Sequence, residues 1–590
     1  MTYPHNILMQ VQKPGRYVGG ESGMVIKEYA DGLHNFCLCF PDVYEVGMSW
    51  SGLNILYSLI NERQDFYCQR AFAPWGDMET LLREHALPLK TLERGESLAD
   101  MDIVGFSFNH ELGYTNFLNM LDLCGIPLLT SERGESYPVI CAGGPSACNP
   151  EPISDFVDFF FIGEAEAGFD VVLEVFAANK KKNGTKDDFL AAICGLSGVY
   201  VPKFYDVAYG DDGLISDFSA SQPFAPKMIE KACAPDLDSM YSPSVHLVPN
   251  LESVHDRVAL EIFRGCKRRC RFCQAGYIYS PVREHSVENL MQSAEKCVNA
   301  TGYDEISLLS LSTGDYSYFA ELTERAMAYG RENNVSLSLP SLRIDAFSLE
   351  LMGRIAGARK SGLTFAPEAG SQRLRDIIRK NLTEEEILEG CRLAFLGGWT
   401  KVKLYFMLGL PFENDEDIQA IADLADKIVN VYYSIPKEQR GKGLQINLSA
   451  SCFVPKPHTP FQFAPQSSFH ELLGKQQKLK MAIRSRQVKF SYHNADGSLL
   501  EASLARGDRR VGRAILAAYK LGARFDSWSE KFDFGIWTKA FESAGLSMEF
   551  YGKRARDYDE ILPWDHIHTG ASRELLEREM KLAERINDNG

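Results

Sequence analysis

Three cysteines, Cys266, Cys270 and Cys273, stand at C-x3-C-x2-C spacing inside the stretch Arg264-Gly265-Cys266-Lys267-Arg268-Arg269-Cys270-Arg271-Phe272-Cys273-Gln274-Ala275-Gly276. They follow directly on an apolar run, Val258 to Phe263, that reads as a buried strand. Soft thiolates on one short loop can each hold one iron of a cubane cluster, and three ligands leave the fourth iron open for chemistry. A structural zinc site would want a fourth Cys or His at ligand spacing, and His255 and His285 flank the loop without forming such a pair. A disulfide does not suit three cysteines on an intracellular chain.

The 590 residues, 45% apolar and 24% charged, are too many for one core and suit two to four domains. A net charge of −16 argues against a broad nucleic-acid-coating surface but leaves room for a local basic groove. The start carries no basic segment leading into an apolar core, and no run approaches transmembrane length, so a cytoplasmic chain with no membrane contact is expected. Most of the 14 cysteines are singletons in apolar runs, as in a reducing compartment.

Strand-like and helix-like segments alternate from about 35 to 175, with strands at Phe36–Phe40, Ile103–Phe108 and Val139–Pro145 and a further one at Phe156–Gly163. That rhythm predicts an α/β, doubly wound parallel sheet over residues 1–175, with its ligand crevice at the strand C-termini. Gly143 and Gly144 end one strand, where they permit either close approach to a ligand or simply a turn. Asn109-His110-Glu111 reads as loop surface. Residues 176–250 read as a proline-punctuated connector with a hairpin turn at Gly210-Asp211-Asp212-Gly213. Strands at 258–263, 305–311, 335–339, 361–366, 400–408 and 444–450 give the region 251–485 a second strand–helix rhythm, which fits a partial barrel or an open sheet. Residues 486–590 read as a small α-rich unit whose Arg506, Arg509 and Arg510 pair with nearby acids such as Glu501 or Asp508, or else bind an anion.

The cysteine spacing, with Phe272 just before the third cysteine, resembles the signature of the radical S-adenosylmethionine (SAM) superfamily. Further segments resemble the same superfamily: Leu311-Ser312-Thr313-Gly314-Asp315-Tyr316 after the second core strand, Phe365-Ala366-Pro367-Glu368-Ala369-Gly370-Ser371 after the fourth, and Lys403 to Glu413 along the fifth. Residues 451–460, Ser-Cys-Phe-Val-Pro-Lys-Pro-His-Thr-Pro, match the exit of the sixth. Asp42-Val43-Tyr44-Glu45-Val46-Gly47 has the spacing of the D-x-H-x-x-G loop of cobalamin-binding domains, with Tyr44 where the cobalt-ligating histidine would be. The segments 501–510, 525–528 and 563–567 resemble the tail of a family of radical SAM proteins with an N-terminal cobalamin-binding-like domain.

The resemblance implies a Rossmann-like N-terminal domain, a partial (β/α)6 radical SAM barrel and the α-rich tail. It implies a 4Fe–4S cluster on Cys266, Cys270 and Cys273, and SAM held near Gly314, Asp315, Glu368, Tyr405 and Gly409. A cobalamin-type crevice would involve Asp42, Gly47, Gly143 and Gly144, with no histidine ligand at Tyr44. The implied reaction is reductive cleavage of SAM to a 5′-deoxyadenosyl radical for C–H functionalisation, including cobalamin-dependent methyl transfer. Methylthiotransferase-like modification of RNA or protein without cobalamin is the alternative, and a non-catalytic iron–sulfur scaffold or sensor a third. The expected partners are SAM, a small-molecule, RNA or protein substrate, and a reductant such as flavodoxin or ferredoxin.

Overall fold

A computed structural model describes residues 2–243, 246–253, 256–339 and 363–589. The N-terminal domain is one six-stranded sheet built from β1 (His34–Phe40), β2 (Phe66–Phe72), β3 (Ile103–Ser107), β4 (Val139–Gly143), β5 (Phe159–Phe161) and β6 (Val199–Tyr200). Its order is β2-β1-β3-β4-β5-β6, parallel throughout except for β5 against β6. The chain reverses direction across the sheet between β1 and β3, the topological position where such folds open a crevice at the strand C-termini.

β2 is not evident in the sequence, because Gln69 and Arg70 interrupt its apolar run, yet all seven residues are buried. The Arg70 guanidinium is held between Glu21 at 3.0 Å and Glu93 at 2.6 Å, and all three side chains are fully withdrawn from solvent. The sheet also continues past residue 175. Helices Phe169–Lys181 and Lys186–Ile193 lead into β6, so part of the stretch expected to be connector closes the first domain. The hairpin of β7 (Tyr205–Tyr209) and β8 (Ile215–Ala220) follows, then β9 (Ile229–Glu230).

The central domain holds two parallel sheets. One is β10 (Val258–Glu261), β13 (Glu305–Leu309) and β14 (Ser336–Ser338). The other is β15 (Leu363–Glu368), β16 (Lys401–Leu408), β17 (Gln445–Cys452) and β18 (Val488–Tyr492). All six expected core strands are present, although positions 361 and 362 of the fourth lie outside the described residues, and β18 adds a seventh beyond residue 485. Burial alternates along β16: Val402, Leu404, Phe406 and Leu408 pack against helices Glu384–Leu396 and Asp415–Ser434, while Lys401, Lys403 and Tyr405 are exposed on the opposite face. The short antiparallel ladder of β11 (Phe263–Arg264) and β12 (Arg283–Glu284) brackets the loop 265–282 that carries the cysteines.

The C-terminal part is α-rich, with helices Ala495–Ala505, Val511–Lys520, Phe534–Ser543, Met548–Gly552 and Arg573–Asn589 around a short strand, β19 (Ile567–His568), that pairs with β9. It has no core of its own. Leu504, Val511, Ile515, Trp537 and Phe541 join the core of the first domain. Leu562, Trp564, Leu576 and Met580 pack with Tyr277, Leu374 and Ile377 of the central domain. The arginine cluster is structural: Arg506 is buried on the carbonyls of Gly552, Gln462 and Arg554, Arg509 pairs with Glu151 and Arg510 with Asp508. Glu501 instead pairs with Lys456. Among the described residues no helix is long and apolar enough to cross a membrane.

Candidate functional site

The cysteine loop begins at Gly265, whose φ of +93° suits glycine alone; a Cβ there would stand 2.9 Å from the carbonyl oxygens of Tyr279 and Pro281. The loop is fixed by its own backbone, Cys273 N donating to Cys270 O at 3.0 Å and Gly276 N to Cys273 O at 3.2 Å. Its middle is pinned from below: Arg271 N donates to Ile378 O at 3.0 Å, and the buried Arg271 guanidinium reaches Asp376 O, Ile377 O and Glu579. Burial first, then the neighbouring Cys270 sulfur, pushes the Cys273 thiol up to about 11. Metal binding at this loop must therefore release protons. Among the described residues no three His, Cys, Asp or Glu side chains converge on a single ion, and His285 is paired with Asp238 at 2.9 Å. His255, the other zinc candidate, lies outside the described residues.

The charged residues of the loop are ordered by specific partners. Arg268 grips the Asp315 carboxylate with two hydrogen bonds of 2.8 and 2.5 Å, and Ser312 Oγ donates to the same carboxylate at 2.7 Å. Lys267 pairs with Glu284 at 2.9 Å and reaches Asp315 O, while Arg269 donates to Ser280 Oγ. Gly314 and Asp315 thus form a turn locked to the cluster loop. Glu368, at the end of β15 with φ +68°, pairs with Lys380 at 3.2 Å. Burial raises its pKa, with the Lys380 charge opposing. Tyr405 is 41% exposed on the face of β16 opposite the helices. Gly409 turns the chain at the exit of β16 with φ +82°, its N–H donating to Glu413 at 2.8 Å.

A cavity of about 400 Å³ lies between the C-terminal ends of the first sheet and the cluster loop. Its walls include Phe36 and Leu38 of β1, Gly105 and Ser107 of β3, Gly143 at the end of β4 and Gly144 after it, Glu164 and Glu166 after β5, and Arg264 and Gly265 at the neck of the cysteine loop. Gly144, at φ +94°, packs so tightly that a Cβ would meet Phe108 O at 2.7 Å. The hydroxyls of Ser107 and Thr569, both wall residues, are buried without a hydrogen-bond partner. Asp42 and Gly47 do not line this cavity: Asp42 accepts from Trp528 Nε1 at 3.0 Å and Gly47 packs on Phe72 and Phe40. Tyr44 is buried, its hydroxyl accepting from Asn250 N at 3.0 Å, so the exit of β1 is sealed by the connector and the C-terminal part.

Glu164, Glu166, Arg264 and Arg283 hold the two domains together at this wall, and the sequence reading assigned none of them a role. The one signal was Gly163-Glu164-Ala165-Glu166, two carboxylates emerging straight from an apolar strand. Glu111 was read as loop surface and is buried, held by Lys456 at 2.8 Å; Glu501 meets the same ammonium at 2.9 Å.

His458, two residues further along, bonds Cys148 O through Nε2 at 2.9 Å, and burial drives its ring down to about 4 from an ordinary 6.5. A folded pKa below the unfolded one means stability that is present above pH 6.5 and drains away as pH falls toward 4. Urea unfolding at pH 7.5 and 5 is expected to show about 2 kcal/mol of loss from this residue. His458→Asn, which tolerates the φ of +59°, should remove that part of the pH dependence; an unchanged slope would contradict the assignment.

The pinned loop of three cysteines thus follows the first strand of a parallel sheet and borders the cavity at the strand C-termini of the doubly wound domain. Residues 260–425 match the family profile of the radical SAM superfamily, and residues 52–202 that of the N-terminal domain of radical SAM proteins. The chain belongs to the radical SAM superfamily and is a radical SAM enzyme. It is 28% identical over 520 residues to the Methanocaldococcus jannaschii protein MJ0966, spanning 86% of this chain and 98% of that one. MJ0865 of the same organism, provisionally named a methylthiotransferase, is 26% identical over 194 residues, 30% of this chain and 42% of that one. In fold the chain is similar to the radical SAM methyltransferase TsrM of Kitasatospora setae, solved with cobalamin and a 4Fe–4S cluster, with a TM-score of 0.51 and 13% identity over 87% of this chain and 100% of that one.

Proposed function

We propose that this radical SAM enzyme holds a 4Fe–4S cluster on Cys266, Cys270 and Cys273 and a corrinoid in the interdomain cavity, and that it functionalises a C–H bond by methyl transfer. The observation that carries the reading is the adjacency of the two sites: the residue before the first cluster cysteine, Gly265, is itself part of the wall of the cavity at the sheet's switch point. When bound, the cluster would supply the electron that cleaves SAM and the corrinoid a carrier for the methyl group. The chain's own part is to hold and to exclude. Arg268 fixes Asp315, whose turn offers backbone carbonyls and a carboxylate to the methionyl ammonium of SAM, and Lys380 orients Glu368 on the facing strand. Phe36, Leu38 and Phe263 keep the cavity wall dry. With Tyr44 buried against Asn250, no protein histidine reaches a bound cobalt from the exit of β1.

The test is anaerobic reconstitution with iron, sulfide and hydroxocobalamin, then visible spectra and chromatography of SAM-derived products after chemical reduction. Retained corrinoid together with SAM turnover supports the reading. Turnover without retained corrinoid would favour modification of RNA or protein instead, for which the similarity to MJ0865 over 194 residues speaks. No cluster would sink both.

A further inference from the structure

We propose that Glu164 is a positioning residue that couples the cluster loop to whatever fills the interdomain cavity, so that occupancy of one cofactor site changes the hold on the other; this rests on the corrinoid reading above. The cysteine loop hangs from a two-pair ladder, Phe263 opposite Glu284 and, next to the loop, Arg264 on β11 directly opposite Arg283 on β12. Two like charges facing each other across a ladder repel. Glu164 resolves that repulsion: its carboxylate takes Arg283 in a fork of 2.8 and 2.6 Å, lies 3.4 Å from Arg264, and accepts from Ala234 N at 3.0 Å. Arg264 is held besides by Glu261 in a fork of 3.0 and 2.8 Å and by Glu166 at 3.1 Å, so Glu164 is the one carboxylate that bridges both arginines. Burial alone would raise the pKa of Glu164, but the Arg283 hydrogen bonds and the Arg264 charge hold it below the ordinary carboxylate value, so it stays charged.

These groups are largely withdrawn from water, with side-chain exposures of 13% for Arg264, 6% for Arg283 and 8% for Glu164, and such pairs are screened far less than surface ones. The carboxylate also comes from rigid ground. Gly163, at φ +113°, lies so close to Ala232 that a Cβ would stand 2.2 Å from its carbonyl oxygen, and Glu164 N donates to that oxygen at 2.9 Å. Glu164, Glu166, Arg264 and Gly265 are at the same time wall of the 400 Å³ cavity. A ligand pressed against that wall therefore stiffens the neck of the cluster loop, and coupling between two sites is reciprocal.

The measurement is the rate at which anaerobically reconstituted protein loses iron to EDTA, with and without hydroxocobalamin, with corrinoid occupancy determined in each desalted sample. Wild type is expected to lose iron roughly 5- to 10-fold more slowly when loaded, in the lower range of coupling between distinct sites. Glu164→Gln should lose iron faster than wild type even when unloaded, and hydroxocobalamin should bring it no further slowing at equal corrinoid occupancy, while Arg283→Lys, which keeps the charge and loses the fork, should lie between. Equal protection in wild type and Glu164→Gln would overturn the proposal, as would loaded wild type with no protection at all. Should Glu164→Gln fail to hold iron, Arg283→Lys alone makes the comparison. Wild type that retains no hydroxocobalamin overturns the corrinoid reading itself, and the coupling with it.

Discussion

Replacing Cys266, Cys270 and Cys273 together by alanine is expected to abolish iron binding and with it all reductive cleavage of SAM, while the fold stays intact. The second half of that expectation is specific to this chain. The loop is shaped by Gly265, by its own backbone hydrogen bonds and by Arg271 anchored on Ile378, Asp376 and Ile377, none of which needs a metal. Circular dichroism and thermal unfolding of the triple variant should match those of wild type prepared without iron. Single Cys→Ser variants should behave alike, since each sulfur serves a different iron. SAM cleavage persisting in the triple variant would remove the cysteines from the reaction.

Arg70→Met is expected to cost about 3–5 kcal/mol of stability, because it leaves Glu21 and Glu93 buried without a counter-charge. The urea midpoint of the transition that unfolds the first domain reports it. Replacing all three partners by apolar residues should recover most of the loss, since a well-packed apolar trio avoids the desolvation of three charges. A loss below about 1 kcal/mol in the single variant would mean that water reaches the triad, which its full burial contradicts.

The same triad shows where sequence reading ran out. The core strands were legible because one face is apolar and the other is not, as along Val402, Leu404, Phe406 and Leu408. β2 was not, since an arginine at its centre carries no mark of the two acids, 49 and 23 positions away in the chain, that neutralise it. The two-residue β6 leaves too short a pattern for any period to register. In the site, the cysteines and the Gly143–Gly144 pair stand out by spacing or by residue type, whereas Glu164 and Arg283 matter only because folding brings together residues 119 positions apart. Asp42 and Gly47 fit a motif by spacing alone, and their surroundings, Trp528 and Phe72, turn them to packing.

The divided allegiance of the last hundred or so residues limits how such a chain can be rebuilt. Helix Val511–Lys520 and helix Phe534–Ser543 complete the first domain, while Arg573–Asn589 completes the second. Exchanging the N-terminal module alone for that of a relative would strand the apolar faces of Ile515 and Trp537 against a foreign surface, however well the linker were joined. First domain and tail must be inherited as a matched set, so grafts between relatives should be cut to carry both ends of the chain together and leave the cluster-bearing middle as the exchangeable piece only where Leu576 and Met580 still find their partners.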